Sequence, residues 1–298
     1  MLLSKIGEFG LIERIKKTIK NDPTVIIGPG DDCAVLKYNK NNYQLFSTDM
    51  LVEGVDFTKD TNPYLVGRKA LAVSISDISA CGGIPTQAVV SLGLPKDITL
   101  SSVDRINKGI NDLAKIYKIN IVGGDISSSR DLVINVSILG IVEKKRLVKR
   151  SGAKIKDVIM VSGELGGSIK GKHLKFVPRL KEARYLVENF KVNAMIDISD
   201  GLTQDLNHIL EASNKGALIY ESLIPISKQA KNLQDALSGG EDFELLFTLA
   251  KAQAEKLFTR FPGNFRPIGV ITGHKYGLRL VKRNSKIIKI KPKGFRHF

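Results

Sequence analysis

Several carboxylates in this sequence lie beside glycine or at the end of an apolar run. Gly28-Pro29-Gly30 leads into the adjacent pair Asp31 and Asp32, and an apolar run follows. Two neighbouring carboxylates repel each other unless cations or solvent neutralise them. Comparable settings surround Asp49, Asp77, Asp125, Asp197 and Asp200. We interpret the set as ligands for Mg²⁺ ions that carry a nucleoside triphosphate, although Asp31-Asp32 alone is equally typical of a solvated turn.

Asp77 is the most informative of these positions. Pro63 opens a predicted helix, Tyr64–Cys81, which Gly82-Gly83 ends. The middle of this helix is apolar on more than one face, which indicates burial. A carboxylate there is costly unless it is paired or binds a metal.

Other acidic positions follow predicted strands. Tyr43–Phe46 is expected to end at Ser47-Thr48-Asp49, where three oxygen ligands suit a hard cation and a polar turn is the alternative. Ile119–Val122 is expected to end at Gly123-Gly124-Asp125, and paired glycines let the backbone approach a phosphate. Ala194–Ile196 ends at Asp197, just before a predicted helix start that favours phosphate.

One stretch resembles a phosphate-binding P-loop without completing it. Gly166, four further residues and Gly171-Lys172 match the pattern, but His173 replaces the Ser or Thr whose hydroxyl binds Mg²⁺. The match also begins several residues after the preceding strand. We therefore predict that Lys172 does not hold the nucleotide phosphates.

Composition favours a globular chain of two domains or one large domain. The chain has 298 residues, of which 43% are hydrophobic and 6% aromatic. It has no apolar run of about 18 residues, the length of a membrane span, and its first residues lack a signal peptide's apolar core. Cys33 and Cys81 have no metal-ligand or redox spacing, so we expect reduced thiols in a cytoplasmic protein.

The net charge of +16 is concentrated toward the end of the chain. Residues 256–298 contain twelve Lys or Arg and no Asp or Glu. Nucleic-acid binding would explain such a segment. However, basic and apolar residues alternate in Leu278–Arg283 and Ile287–Lys291, which predicts strands with a solvated basic face. An anionic substrate or a basic proteome explains the charge equally well.

The order of the motifs resembles the thiamine-monophosphate kinase family. This family belongs to an ATP-binding superfamily with aminoimidazole ribonucleotide synthetase, selenophosphate synthetase and a hydrogenase-maturation protein. No single motif is decisive, but the complete series in this order is specific. The matching stretches are Gly7–Phe9, Gly30–Val35, Ser47–Gly54, Lys69–Val73, Ser76-Asp77, Gly123–Asp125, Arg150–Ala153, Asp197–Leu202 and Gly239–Leu245.

The resemblance implies an α/β fold with mixed sheets and two domains. Residues 1–143 would bind ATP and Mg²⁺ and pair with a second copy to form a shared barrel in a homodimer. Residues 144–298 would complete the nucleotide and substrate site. The implied reaction is direct phosphoryl transfer from ATP to thiamine monophosphate, giving thiamine diphosphate, with several Mg²⁺ ions assisting.

The resemblance also implies roles for individual residues. Gly124, Asp125, Arg150 and Ser199 would contact ATP, and Asp56, Glu241 and Phe295 would contact thiamine monophosphate; packing of a terminal strand is the alternative for Phe295. Among the acidic residues, Asp32, Asp77, Asp125 and Asp200 are the predicted catalytic set. The implied metal ligands are Asp32, Ser47, Thr48, Asp49, Asp77, Asp125, Asp197 and Asp200.

The sequence departs from the family pattern at several points. Asp56 stands where the family usually has His, Ile126 replaces a usual Thr, and the segment between Gly163 and Asp197 is shorter by about one helix. Another enzyme of the superfamily, with a different acceptor, is therefore the first alternative. A non-catalytic nucleic-acid-binding protein is the second, and it leaves the acidic set unexplained.

Two members of the superfamily fit the sequence less well. Selenophosphate synthetase is disfavoured because no cysteine precedes Asp31. The hydrogenase-maturation protein is disfavoured because the chain ends in Arg296-His297-Phe298, without a terminal cysteine.

Overall fold

Two mixed β-sheets, one from each half of the chain, carry the fold in the computed structural model, which describes residues 3–261 and 265–295. The final residues, 296–298, on which the argument about a terminal cysteine depends, lie outside the described residues. The first sheet has the order β1-β2-β3-β6-β4-β5, in which only β4 and β5 pair in parallel. Its strands are β1 (Val25–Ile27), β2 (Ala34–Lys37), β3 (Asn42–Val52), β4 (Ile84–Leu94), β5 (Asn120–Ser128) and β6 (Val133–Glu143).

Three helices belong to the first half: α1 (Leu3–Lys16), α2 (Pro63–Ala80) and α3 (Leu100–Tyr117). The long helix predicted around Asp77 is therefore confirmed. It packs on β3, β6 and α3, and most of its residues are buried. The crossing with α3 is close, because a Cβ on Gly67 would lie 2.0 Å from the Ile106 carbonyl oxygen. This approach requires glycine.

The second sheet has the order β13-β12-β9-β11-β7-β10-β8. Helices α6 and α7 cover one face over a core that includes Leu206 and Leu246, and α5 and α8 cover the other, where Phe247 lies. The strands are β7 (Val158–Val161), β8 (Val192–Asp197), β9 (Lys215–Tyr220), β10 (Leu245–Leu249), β11 (Arg266–Gly273), β12 (Leu278–Val281) and β13 (Ile287–Lys289). The helices are α4 (Lys172–Lys175), α5 (Leu180–Asn189), α6 (Leu202–Ser213), α7 (Leu233–Ser238) and α8 (Lys251–Arg260).

Two strands continue where the sequence predicted that they would end. β3 runs through Ser47-Thr48-Asp49 because its eleven residues all pair with β6, so these side chains lie within the strand. β5 likewise runs through Gly123-Gly124-Asp125, and Asp125 pairs with Ser91 of β4. The polar residues at these positions therefore lie within strands of the sheet and not in a turn that follows them.

Helix α1 ends at Lys16, and Gly7 has a φ of 65° that interrupts its helical geometry. Across the described ranges, no helix combines the length and the apolar character that crossing a membrane requires.

Apolar side chains are exposed along β5 and on one face of the first sheet. Val122 is 62% exposed and Ile126 is 69% exposed, and β5 forms the edge of the sheet. Phe46, Met50 and Val89 are exposed on β3 and β4, and Phe46 and Met50 alternate with the buried Leu45 and Leu51. An open edge strand beside an apolar sheet face is suited to pairing with another chain.

We predict that the chain is a homodimer whose interface includes β5. Val122→Lys should convert it to a monomer at micromolar concentration, because a charge at the apolar edge would lose its hydration on pairing. Light scattering coupled to size-exclusion chromatography measures the change. Ile116→Lys, on the exposed surface of α3, is the matched control. A wild-type monomer would contradict the prediction.

Candidate active site

Three carboxylates from distant parts of the chain meet where the two halves pack together. Asp32 follows the glycine turn between β1 and β2, Asp77 lies near the end of α2, and Asp197 ends β8. One possible ligand atom from each of the three lies within 4.8 Å of the others. We call this group the acidic cluster. The two halves of the chain therefore both contribute to it.

Burial makes the charged form of these carboxylates unfavourable. It raises the pKa of Asp77 well above its ordinary value, and the charges of Asp49, Asp197 and Asp32 raise it further. Burial, together with the charge of Asp32, raises the pKa of Asp197 to about 7 and that of Asp49 to about 6. A bound cation would reverse these shifts, because it favours the charged form of each carboxylate.

The neighbouring side chains compensate only part of the negative charge. The Arg150 guanidinium donates two hydrogen bonds to Asp32 Oδ1, at 2.7 Å from Nη2 and 3.2 Å from Nε. The Ser76 hydroxyl donates to Asp197 Oδ2 at 2.5 Å, and the Ser47 hydroxyl donates to Asp77 Oδ2. When all three carboxylates are ionised, one guanidinium and two neutral hydroxyls leave a net negative charge at the acidic cluster.

Two carboxylate oxygens at this position lack a partner. Asp32 Oδ2 and Asp49 Oδ2 are buried and accept no hydrogen bond from the part of the chain that the structure describes. An orphaned charged oxygen is costly in a protein interior. Hard carboxylate and hydroxyl oxygens are the ligands that Mg²⁺ prefers. The residues present therefore fit divalent cations.

Not every predicted ligand lies at the acidic cluster. The Thr48 hydroxyl lies 2.9 Å from Ser137 Oγ on the exposed side of β3 and β6. Asp125 is exposed on β5, and it belongs to none of the closely spaced groups of possible ligands found among residues 3–261 and 265–295. The role of both residues as metal ligands stays a prediction, and for Asp125 it would require a second chain or a bound nucleotide.

Asp200 belongs to a second group at the start of α6. It lies with Asp205 and His208, again with possible ligand atoms within 4.8 Å of one another. Asp205 Oδ2 accepts the backbone N–H groups of Asp200 at 3.1 Å and Gly201 at 3.0 Å. Sequence reasoning missed Asp205, although an acidic residue in the first turn of a helix is a common capping signal.

A cavity of about 920 Å³ lies beside the acidic cluster, between α1 and α6. Its lining includes Arg150 and Ser199, two of the predicted ATP contacts. The other two, Gly124 and Asp125, line a separate cavity of about 530 Å³ along β5. A single chain therefore divides the predicted nucleotide contacts between two surfaces.

A smaller cavity of about 300 Å³ also has Ser199 and Asp200 in its lining. Asp56, Glu241 and Phe295, the three predicted contacts to the acceptor, all line it. Asp49 also lines it and connects it to the acidic cluster. We call this cavity the acceptor pocket. Its other walls are largely apolar, formed by Met50, Leu51, Val55, Val73, Ile169 and Phe243.

Comparisons with known proteins agree with this arrangement. The family model for the N-terminal domain of AIR synthase related proteins matches residues 30–142, and the model for the C-terminal domain matches residues 133–281. The thiamine-monophosphate kinase of Buchnera aphidicola from Schizaphis graminum is 38% identical, over 98% of this chain and 99% of that protein. The Aquifex aeolicus kinase is 35% identical over 100% of both chains. The chain belongs to the thiamine-monophosphate kinase family.

Solved structures support the same assignment. A structure described as AaThiL complexed with AMPPCP and TMP is 34% identical, has a TM-score of 0.88, and covers 100% of this chain and 99% of that chain. Escherichia coli HypE, a hydrogenase maturation protein, has a TM-score of 0.74 at 18% identity and covers 96% of this chain and 98% of that chain, which shows the shared fold alone. The predicted fold class and the prediction that the chain is a kinase are confirmed.

Sequence reasoning assigned no role to Lys69, which is fully buried in α2. Its ammonium donates to the Glu241 carboxylate and, at 2.8 Å, to the Asp56 carbonyl oxygen. The signal in the sequence was a lysine next to the apolar run of α2. Its partner Glu241 is 172 residues away, so no local pattern could identify the pair.

The incomplete P-loop of this kinase contains a structural lysine. Lys172 Nζ lies 2.8 Å from Glu244 Oε1 and 3.8 Å from Asp242 Oδ1, and both carboxylates are buried. Arg179 also pairs with Glu244, at 2.7 Å. The lysine thus neutralises acidic side chains of its own domain, which agrees with the expectation that it does not hold phosphates.

The cysteines are buried and unbridged. Cys81 Sγ lies close to possible ligand atoms of Asp31 and Asp32. A hydrogen bond with Cys33 lowers the pKa of the Cys81 thiol, but burial and the charges of Asp32 and Asp31 outweigh it, so the pKa is raised and the protonated form is favoured. A protonated thiol is a poor metal ligand, which leaves the oxygen ligands to hold a hard cation.

The raised pKa values predict how the metal-free protein responds to pH. The folded pKa values of Asp49 (about 6) and Asp197 (about 7) exceed the ordinary value of 3.8. Between the ordinary and the folded pKa, the folded state therefore binds more protons than the unfolded state. The free energy of unfolding in EDTA should therefore fall by on the order of a few kcal/mol from pH 5 to pH 7.5. Urea denaturation at both values measures it.

Mg²⁺ should stabilise the protein more at pH 7.5 than at pH 5, because metal and protons compete for the same oxygens. Asp197→Asn should weaken both the pH dependence and the response to Mg²⁺. An equal stability at both pH values in EDTA, with no response to Mg²⁺, would contradict the interpretation of this cluster.

A second prediction concerns Lys172. Lys172→Met should lower the free energy of unfolding by about 1–2 kcal/mol, less than for a fully buried ion pair, because the Lys172 side chain is 30% exposed and Arg179 still pairs with Glu244. The KM for ATP should stay within about twofold of the wild type, since no phosphate depends on this ammonium. Chemical denaturation and steady-state kinetics measure the two effects. A large rise in the KM for ATP in a folded variant would instead identify the segment as a nucleotide site.

Proposed function

We propose that this chain transfers the γ-phosphoryl group of ATP to the phosphate of thiamine monophosphate, giving thiamine diphosphate and ADP. The observation that carries the proposal is that two cavities share lining residues just after Asp197 of the acidic cluster. Ser199 and Asp200 line both the 920 Å³ cavity beside Arg150 and the acceptor pocket. A donor in one cavity and an acceptor in the other would bring their phosphates together at the carboxylates.

The acceptor pocket has the chemistry that thiamine requires. The thiazolium ring of thiamine is an aromatic cation, and Asp56 and Glu241 provide negative charge while Phe243 and Phe295 provide aromatic surface. A cation is attracted both to carboxylates and to the face of an aromatic ring. The related structure described as a complex with AMPPCP and TMP supports the same pair of substrates, since AMPPCP is an analogue of ATP.

Asp56 stands where the family usually has His, and it lines the acceptor pocket. Its carboxylate accepts the backbone N–H of Val52 at 2.7 Å, which fixes the turn that follows β3. One carboxylate oxygen therefore has a structural partner, and the residue adds negative charge to the wall that faces a cationic ring. This substitution is compatible with a cationic acceptor.

Transfer between two phosphates faces electrostatic repulsion. Two unit charges about 4 Å apart repel by roughly 4 kcal/mol at an effective dielectric of 20. Asp32, Asp49, Asp77 and Asp197 would hold more than one Mg²⁺ ion, with Ser47 and Asp200 alongside. Bound Mg²⁺ would neutralise the phosphate oxygens and orient them for an in-line displacement.

The protein's own residues provide binding and orientation. Arg150 extends from Asp32 into the larger cavity, where its planar guanidinium suits bidentate contact with phosphate oxygens. The N-terminus of α6 follows Asp200 and adds a positive dipole end. No general base is needed, because an acceptor phosphate oxygen is already ionised at neutral pH.

The direct test is an assay of the purified protein with ATP, Mg²⁺ and thiamine monophosphate. Thiamine diphosphate should form in proportion to ADP, and omission of Mg²⁺ should abolish its formation. Unphosphorylated thiamine is the control for the acceptor, since it lacks the attacking phosphate. Failure to form thiamine diphosphate under these conditions would refute the proposal.

Asp77→Asn tests the acidic cluster. The change keeps the shape of the side chain but removes one charge, so turnover should fall by about two orders of magnitude or more. Metal-free stability should stay the same or rise, because burial and repulsion of the carboxylate are relieved. Asp104→Asn, on the exposed surface of α3, is the matched control. Lower metal-free stability with normal turnover would contradict the metal-ligand role.

A further inference from the structure

The fully buried lysine of α2 is tied to the acceptor pocket through a single carboxylate. Lys69 is 0% exposed, whereas the Glu241 side chain is 26% exposed and lines the pocket. Burying an ammonium is costly unless it is paired and hydrogen-bonded. Its two contacts, the Glu241 carboxylate and the Asp56 carbonyl oxygen, belong to two residues that both line the pocket.

The backbone of Glu241 is fixed at the same point. Glu241 has a φ of 63°, in the left-handed region that favours glycine. Its N–H donates to the Ser199 carbonyl oxygen at 2.6 Å, and its own carbonyl accepts the Ser168 hydroxyl at 2.6 Å. Residues held in this region cluster at functional sites when the surroundings determine them strongly. Backbone contacts thus place the residue, and Lys69 directs its carboxylate.

We propose that Lys69 is a positioning residue for the acceptor: it directs the Glu241 carboxylate into the acceptor pocket and holds it at a set distance from the turn that contains Asp56. The inference rests on the proposed function, because it takes the occupant of this pocket to be the cationic ring of thiamine monophosphate. Lys69 itself does not touch the substrate, since it is fully buried behind Glu241.

Helix α2 carries both Lys69 and Asp77, a member of the acidic cluster. Asp77 lies about two helical turns beyond Lys69 in the same helix. One rigid helix therefore positions both a carboxylate of the acidic cluster and the ammonium that orients the acceptor. A small displacement of a bound group lowers transfer rates severely, so a shared rigid support is an advantage.

The test uses Lys69→Met, which keeps most of the length of the side chain and removes its charge. The Kd for thiamine monophosphate, measured by isothermal titration calorimetry, should rise about tenfold or more, the scale of one charge-assisted hydrogen bond. The Kd for ATP should stay within about twofold of the wild type. Lys172→Met is the matched control, because it removes another lysine–glutamate ion pair, which lies outside the pocket. Equal changes in both dissociation constants, or none, would overturn the inference.

A double variant keeps the test decisive if Lys69→Met alone fails to fold. Lys69→Met with Glu241→Gln removes both charges and leaves no unpaired buried carboxylate. Its Kd for thiamine monophosphate should equal that of Glu241→Gln, because Lys69 acts only through Glu241. A further rise in the double variant would overturn the inference.

The calorimetry also separates this inference from the proposed function. A wild-type protein that binds thiamine monophosphate without forming thiamine diphosphate would refute the proposed reaction and still allow the role of Lys69 to be tested. A wild-type protein that forms thiamine diphosphate, with the Kd unaffected by Lys69→Met, would refute the role of Lys69 alone.

Discussion

The burial of several like charges at one point is the constraint on which the structure depends. Asp32, Asp77 and Asp197 arrive from a turn, a helix and a strand end, and none of these elements is stabilised by bringing its carboxylate close to the others. The packing of the two sheets and the ion pair between the Arg150 guanidinium and Asp32 offset the free-energy cost of burying these charges. Such a cluster is expected where cations bind, because a cation converts the repulsion into attraction.

Two lysines, one buried and one partly exposed, pair with carboxylates that differ in their exposure. Lys172 and Lys69 both pair with carboxylates of the segment that follows α7, at Glu244 and Glu241 respectively. Glu244 is enclosed and also held by Arg179, so its network stabilises the second domain. Glu241 remains partly open to the acceptor pocket. Both glutamates form ion pairs with lysine, and it is their exposure to solvent that distinguishes Glu241 from Glu244.

The residues predicted to contact the nucleotide are divided between two cavities, and the predicted dimer would bear on one of them. Arg150 and Ser199 lie on one surface, and Gly124 and Asp125 lie on another, along the exposed edge strand β5. A partner that covered β5 would also enclose Gly124 and Asp125. The predicted role of Asp125 therefore depends on assembly, which a single chain does not test.

The sequence by itself determined the local features: a buried helix that carries Asp77, acidic residues beside glycine, and a P-loop that lacks its hydroxyl. These follow from periodicity and residue type, which act over a few neighbouring residues. Only the tertiary structure decided which carboxylates meet. Lys69 and Glu241 are 172 residues apart, and Ser76 and Asp197 are 121 apart, so their contacts depend on how the two sheets pack. The pairing of β3 with β6 and of β5 with β4 is likewise long-range, and it places Thr48 and Asp125 away from the acidic cluster.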